Sequence, residues 1–131
     1  MIFGVGTDVV EIGRIEKALS RFGARFAERI LCGPELSRFR KHRQPAAYLA
    51  KRFAAKEAFT KALGTGIHAP ANWHGVWVHN LRSGKPVLDF SPALRELLEA
   101  RGIGRSHLSL SDERELASAT VVLEFDPGAA A

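Results

Sequence analysis

Ala46-Ala47-Tyr48-Leu49-Ala50-Lys51-Arg52-Phe53-Ala54-Ala55-Lys56-Glu57-Ala58-Phe59-Thr60-Lys61-Ala62-Leu63 is the stretch on which the reading of this chain turns. It follows Pro45, is rich in alanine and is closed by Gly64, so it predicts one long helix with a glycine stop. At about 100° per residue, Ala46, Ala50, Phe53 and Ala54 cluster on one face, and Glu57 and Lys61 fall in the same sector. Two charged side chains therefore stand on the face expected to be buried, where charge is costly unless paired, metal-bound or turned to a polar cavity. A Glu57–Lys61 ion pair at i,i+4 is one explanation. The neighbouring alanines, which let another element approach closely, favour a lined cleft. Lys51, Arg52 and Lys56 add charge around the same helix, and for at least one of them an outer, solvated position is the simple reading.

Working outward, residues 2 to 10 are mostly apolar and β-branched, with glycines at 4 and 6, and predict a strand ending near Asp8. Ile12, Ile15, Leu19 and Phe22 recur at helical spacing before Gly23, which predicts a first helix with one buried stripe. Residues 26 to 45 carry weaker signals, a short helix from Pro34 to Arg40 and a polar link to Pro45. Beyond the long helix, Gly75 to His79 and Lys85 to Phe90 read as strands joined by a turn at Ser83-Gly84. Ser91-Pro92 is a capping residue followed by proline at the first helical position, and Leu94, Leu97 and Leu98 form the stripe of a helix ending at Gly102. His107 to Ser111 and Ala117 to Phe125 alternate as strands around the turn Asp112-Glu113-Arg114-Glu115. Helices and strands occur without regular βαβ alternation, which predicts an α+β fold.

A length of 131 residues fits a single domain, 1–131, with 126–131 reading as a frayed tail. The composition, 46% hydrophobic and 25% charged, is that of a globular protein, and no apolar run approaches the roughly 20 residues that span a bilayer. The N-terminus lacks the basic and apolar regions of a signal peptide, so a cytoplasmic location is expected. Cys32 is the only cysteine, which excludes an internal disulfide and a thiolate zinc cluster and leaves it a space-filling role. Nineteen Lys and Arg against fourteen Asp and Glu give a formal charge of +5, which favours an anionic partner. Nucleic acid is not expected, because the densest basic stretch, Arg38 to Arg43, holds one aromatic and reads as a solvated loop.

Several residues admit two readings. Asp8 is either a helix N-cap or a strand-end carboxylate that joins Glu57. Such a pair suits a hard, oxygen-seeking cation such as magnesium, commonly held by one or two carboxylates together with phosphates. Gly64-Thr65-Gly66 is either a helix stop or a backbone N–H cradle for a phosphate, with Lys61 and Lys56 beside it. Arg14, Lys17 and Arg21, three and four apart, line either a solvated face or a docking surface for an acidic partner. The histidines His42, His68, His74 and His79 show no ligand spacing, and His107 opens a strand.

Gly4-Val5-Gly6-Thr7-Asp8-Val9-Val10-Glu11-Ile12 and Leu49-Ala50-Lys51-Arg52-Phe53-Ala54-Ala55-Lys56-Glu57-Ala58-Phe59-Thr60-Lys61-Ala62-Leu63-Gly64-Thr65-Gly66 together resemble the two signatures of the holo-acyl-carrier-protein synthases, the short bacterial 4′-phosphopantetheinyl transferases. The resemblance extends more loosely through Gly84-Lys85-Pro86 and His107 to Glu124, and is uninformative over 24–45 and 68–83. It implies a small, mostly antiparallel sheet packed with a long central helix, a homotrimer with active sites between subunits, coenzyme A as donor and the serine of an acyl carrier protein as acceptor. It further implies that Asp8 and Glu57 hold magnesium, and that Lys61 contacts the phosphates and stabilises the leaving group. His107 would lie against the coenzyme A phosphates, and Lys85 and Pro86 near its nucleotide end. Where some relatives carry a second histidine this chain has Asp112, so that histidine's acid–base role does not transfer, and Asp112 and Glu113 stand as candidate substitutes.

Overall fold

The computed structural model describes residues 1–128. The elements run β1 (Ile2–Glu11), α1 (Ile12–Phe22), α2 (Ala24–Ile30), α3 (Gly33–Lys41), α4 (Pro45–Leu63), β2 (Val76–Asn80), β3 (Pro86–Phe90), α5 (Pro92–Ala100), β4 (Ile103–Asp112) and β5 (Leu116–Phe125). Two antiparallel sheets form, one ordered β1-β5-β4 and one a β2-β3 pair. The α+β expectation and the long central helix hold. Of the expected tail, 126–128 leave β5 as a turn, and 129–131 lie outside the described residues.

Alternation along β5 explains how the sheet meets α4. Ala117, Ala119, Val121 and Leu123 are buried toward the helix, while Ser118, Thr120, Val122 and Glu124 lie on the opposite face. β1 follows the same register, so Gly4, Gly6, Asp8 and Val10 share the helix side. The glycines there set the approach: a Cβ on Gly6 would overlap the carbonyl oxygen of Ala58, and one on Gly4 that of Ala62. α4 therefore packs against the backbone of β1.

α4 also departs from the amphipathic pattern expected of it. Twelve of its residues are buried, among them Arg52, Lys56 and Thr60, because the sheet covers one side and α1, α2 and α3 another. It contributes to both apolar clusters, Ala54 to Leu63 in one and Tyr48 to Ala50 in the other. Its open stripe is narrow. Phe53 and Glu57 are half-buried and Lys61 is exposed, at i, i+4 and i+8. Glu57 and Lys61 thus stand at the edge of a buried helix and not on its core face.

Two smaller expectations change. α2 appears where weak signals had suggested nothing regular, with Gly23 at a φ of 66° ending α1 and beginning α2. The short helix expected from Pro34 to Arg40 forms as α3 and runs on through Lys41, so the loop reading of the basic stretch Arg38 to Arg43 fails for Arg38 to Lys41.

Candidate active site

Asp8 lies inside β1, and the next helix begins at Ile12 with Glu11 at its cap position, so Asp8 is no N-cap. Lys61 reaches across from α4, its Nζ donating to the Thr7 carbonyl at 2.9 Å and to Asp8 Oδ1 at 3.1 Å. It pairs with the strand carboxylate and not with Glu57 one turn back. Glu57 stands close enough for its charge to feel both neighbours. Burial first, and the Asp8 charge second, push its carboxyl above the ordinary glutamate value, while Lys61 pulls the other way. These three side chains line one open pocket of about 460 Å³ with Val9, Val10, Glu11, Arg14, Phe53 and Leu116.

This donor set fits magnesium. The two carboxylates come from different elements on one pocket wall, and among the described residues no cluster of three or more His, Cys, Asp and Glu is gathered. A site with two protein carboxylates leaves the other positions to water and phosphate oxygens, the habit of this ion.

Other expected site residues fare differently. Lys56 cannot contact a phosphate. Its side chain is fully buried, with Nζ donating to the carbonyls of Ile30 at 2.6 Å and Trp73 at 2.8 Å and to Glu35 Oε1 at 2.7 Å. Nor is the backbone cradle at Gly64 and Gly66 free, because the N–H groups of Gly64, Thr65 and Gly66 all turn to the Thr60 carbonyl, at 2.9, 3.1 and 3.4 Å. With Gly64 at a φ of 88° and Gly66 at 67°, the segment is a helix stop. His107 is not brought to the Asp8 pocket. It pairs across the sheet with Val122, which pairs with Val5, so it lies two strands from β1, roughly 10 Å away, and on the face opposite α4. There it meets Glu124 Oε2 at 2.6 Å, and this hydrogen bond is the main cause holding the Glu124 carboxyl below its ordinary value. Asp112 is held by Lys51 at 3.1 Å.

Arg14, Lys17 and Arg21 are exposed along α1, and Arg14 also rims the Asp8 pocket. The charged face therefore borders the carboxylate pair.

A second, basic pocket of about 370 Å³ was not legible in the sequence. Arg38, Lys41, His42, Tyr48, Lys51, Arg52 and Asn80 line it. Asn80 Oδ1 accepts from Arg52 at 3.1 Å and from Arg38 at 3.3 Å, while the buried Arg52 Nε has no protein partner. Four cationic side chains around one pocket suit an anion. Neither Lys85 nor Pro86 lines it, although Pro86 pairs with the lining residue Asn80 at the start of β3. The sequence signal was the i,i+3 pair Arg38 and Lys41, obscured while that stretch read as a loop.

Comparisons with known proteins place the chain in a family. The model of the 4′-phosphopantetheinyl transferase superfamily matches residues 4–119. The holo-[acyl-carrier-protein] synthase of Pseudoalteromonas atlantica is 54% identical over 94% of this chain and 97% of its own. The crystal structure of holo-[acyl-carrier-protein] synthase from Neisseria meningitidis, 47% identical, superposes with a TM-score of 0.92 over 95% of this chain and 99% of that one. The holo-(acyl-carrier-protein) synthase of Bacillus anthracis, solved in complex with CoA (3′,5′-ADP), is 38% identical, with a TM-score of 0.82 over 96% and 99% of the two chains.

Proposed function

The chain belongs to the 4′-phosphopantetheinyl transferase superfamily, and from that premise we propose that Asp8, Glu57 and Lys61 are the centre at which it moves the 4′-phosphopantetheine group of coenzyme A to the acceptor serine of apo-acyl carrier protein. The products are holo-acyl carrier protein, for fatty acid biosynthesis, and adenosine 3′,5′-bisphosphate. The observation that carries the assignment is the meeting of a strand carboxylate, a helix carboxylate and an exposed lysine in one pocket.

Asp8 and Glu57 would hold magnesium, which when bound supplies positive charge at the coenzyme A pyrophosphate. Lys61 is exposed on a long side chain, so an arriving phosphate can draw its Nζ from Asp8 and keep it beside the leaving group. The serine hydroxyl proton goes to the Glu57 carboxylate. Asp112 is occupied by Lys51 and His107 by Glu124, and of the carboxylates that line the pocket Asp8 pairs with Lys61 and Glu11 with Arg14, which leaves Glu57 to accept the proton. The basic pocket around Arg52 and Asn80 receives a further phosphate of coenzyme A, with Lys85 and Pro86 beside the nucleotide.

Arg14, Lys17 and Arg21 form the landing face for the acidic carrier, and because Arg14 rims the pocket the docked serine arrives beside Glu57. The working form is a homotrimer of this domain. Val5, Val9 and Leu116 lie exposed on the face of the sheet away from α4, the same face as Val122 and His107, and an apolar strip of this kind marks an association surface. A neighbouring copy would then bring its His107 to the phosphates that this copy holds. No helix among the described residues is long and apolar enough to cross a membrane, and we place the enzyme in the cytoplasm beside its substrates.

Mass spectrometry of apo-carrier incubated with coenzyme A, magnesium and the enzyme tests the assignment. The carrier gains one phosphopantetheine, and Asp8→Ala and Glu57→Ala each slow the gain by about 100-fold or more. Normal rates in both variants would sink the metal-pair assignment. In the same assay Arg14→Glu raises KM for the carrier several-fold and leaves that for coenzyme A near wild type; equal effects would count against the docking face.

A further inference from the structure

Lys56 and Glu35 are the two charged groups most deeply enclosed in the protein, with side chains 0% and 1% exposed, and nothing in the transfer chemistry uses them. Every polar atom of the pair is engaged. Beyond the three bonds from Lys56, Glu35 Oε1 accepts from the Cys32 N–H at 2.9 Å, and Oε2 accepts from the Val78 N–H at 2.9 Å. The pair thus ties the end of α2, the first turn of α3, the segment leading into β2 and β2 itself to one point on α4. An enclosed ion pair is weak evidence of added stability, because desolvation offsets the attraction; its five directed bonds instead specify an orientation.

We propose that the Glu35–Lys56 pair is a positioning device for the Asp8–Glu57 site, an inference that rests on reading that site as the metal centre. Lys56 and Glu57 are consecutive on α4, about 100° apart around the axis. Fixing the direction of Lys56 therefore fixes the direction in which the Glu57 carboxylate faces Asp8. A second route runs through Trp73. Its carbonyl accepts from Lys56, its ring stacks on Phe53 at 5.0 Å between centroids, and Phe53 forms the wall of the pocket one turn before Glu57. Held at both points, the helix presents Glu57 at one rotation, and carboxylates that must meet one cation need that tolerance to be small.

The test compares the wild type with Lys56→Met and with the double variant Lys56→Met/Glu35→Leu, which fills the space without leaving a lone enclosed charge. Binding of Mn2+ is titrated without coenzyme A or carrier, alongside thermal unfolding and steady-state kinetics. The double variant unfolds at a lower temperature, because the Cys32 and Val78 N–H groups and the Ile30 and Trp73 carbonyls lose their partners, and the folded protein binds Mn2+ about tenfold or more weakly and loses kcat to a similar extent, while KM for the carrier stays within about twofold. A folded double variant with wild-type Mn2+ affinity and kcat would overturn the proposal and leave the pair a structural tie. Should the double variant not fold, Glu35→Asp decides the matter. It keeps both charges and withdraws the carboxylate by one methylene, so weakened Mn2+ binding in the folded protein supports positioning and unchanged binding refutes it. A failure of the site reading looks different, because the wild type and Asp8→Ala would then bind Mn2+ equally.

Discussion

Glu57 is held against the preference of the fold for a neutral group. Half-buried beside Asp8, its carboxyl binds a proton more tightly in the folded protein than in the unfolded chain. As pH rises from the ordinary glutamate value through the raised one, the metal-free protein therefore loses stability, and over the same window the site gains the charge that a cation and a proton acceptor require. Two outcomes are expected. The acid limb of Mn2+ affinity, titrated on the metal-free protein, lies above the ordinary glutamate range. Glu57→Gln, which removes the repulsion with Asp8, raises Tm at neutral pH without metal by roughly 2–5 °C while ending Mn2+ binding and transfer. Calorimetry across pH reads the second quantity, and a Tm that falls in the glutamine variant would show that the charged carboxylate stabilises the metal-free fold after all.

At the scale of elements, the distance between β1 and α4 sets the distance between Asp8 and Glu57, and glycine sets the first. Gly6→Ala must push the backbone of α4 away from the strand that carries Asp8, so it costs about 1–3 kcal/mol or more and weakens Mn2+ binding as well. Gly13→Ala in α1 meets no atom within 4 Å and should be neutral or stabilising by up to about 1 kcal/mol. Thermal unfolding of the two variants with Mn2+ titration checks the contrast, and a Gly6→Ala protein of normal stability and metal affinity would remove the packing account. The same pair of elements shows how far the residues could be read in advance. The strand, the helix, their glycines and both carboxylates were visible, because periodicity and breakers are local properties. The burial of Lys56 was not, since its partner Glu35 is 21 positions away and only the folded chain brings them together. α2 escaped notice because seven residues hold too few turns to display a period, and its arginines Arg25 and Arg29 mask Ala27 and Ile30. Gly64 and Gly66 admitted two readings for a related reason: a glycine stop and a phosphate cradle share a composition and differ only in where their N–H groups point.

The whole molecule divides the expected machinery between two faces of one sheet. Asp8 lies on the α4 side, whereas His107 lies on the far side with Val5, Val9 and Leu116 exposed around it. No rotation of a histidine side chain spans two strands and the thickness of the sheet, so His107 can serve the phosphates only if it reaches those bound by a neighbouring copy. Sharing of that kind has a signature that no single-chain site can produce. Glu57→Gln and His107→Ala are each expected to lose most transfer activity when assayed alone. Mixed, unfolded together and refolded, they form some interfaces that pair an intact Glu57 from one chain with an intact His107 from the other. In a cyclic trimer with random assortment up to about one quarter of the sites are of this type, and activity should recover toward that fraction. Recovery would require the exposed strip to be an interface, and Val5→Asp in both chains should suppress it while each chain still folds, because Val5 faces away from the core. Mixtures that stay inactive while separately refolded wild type recovers would place His107 outside the transfer site.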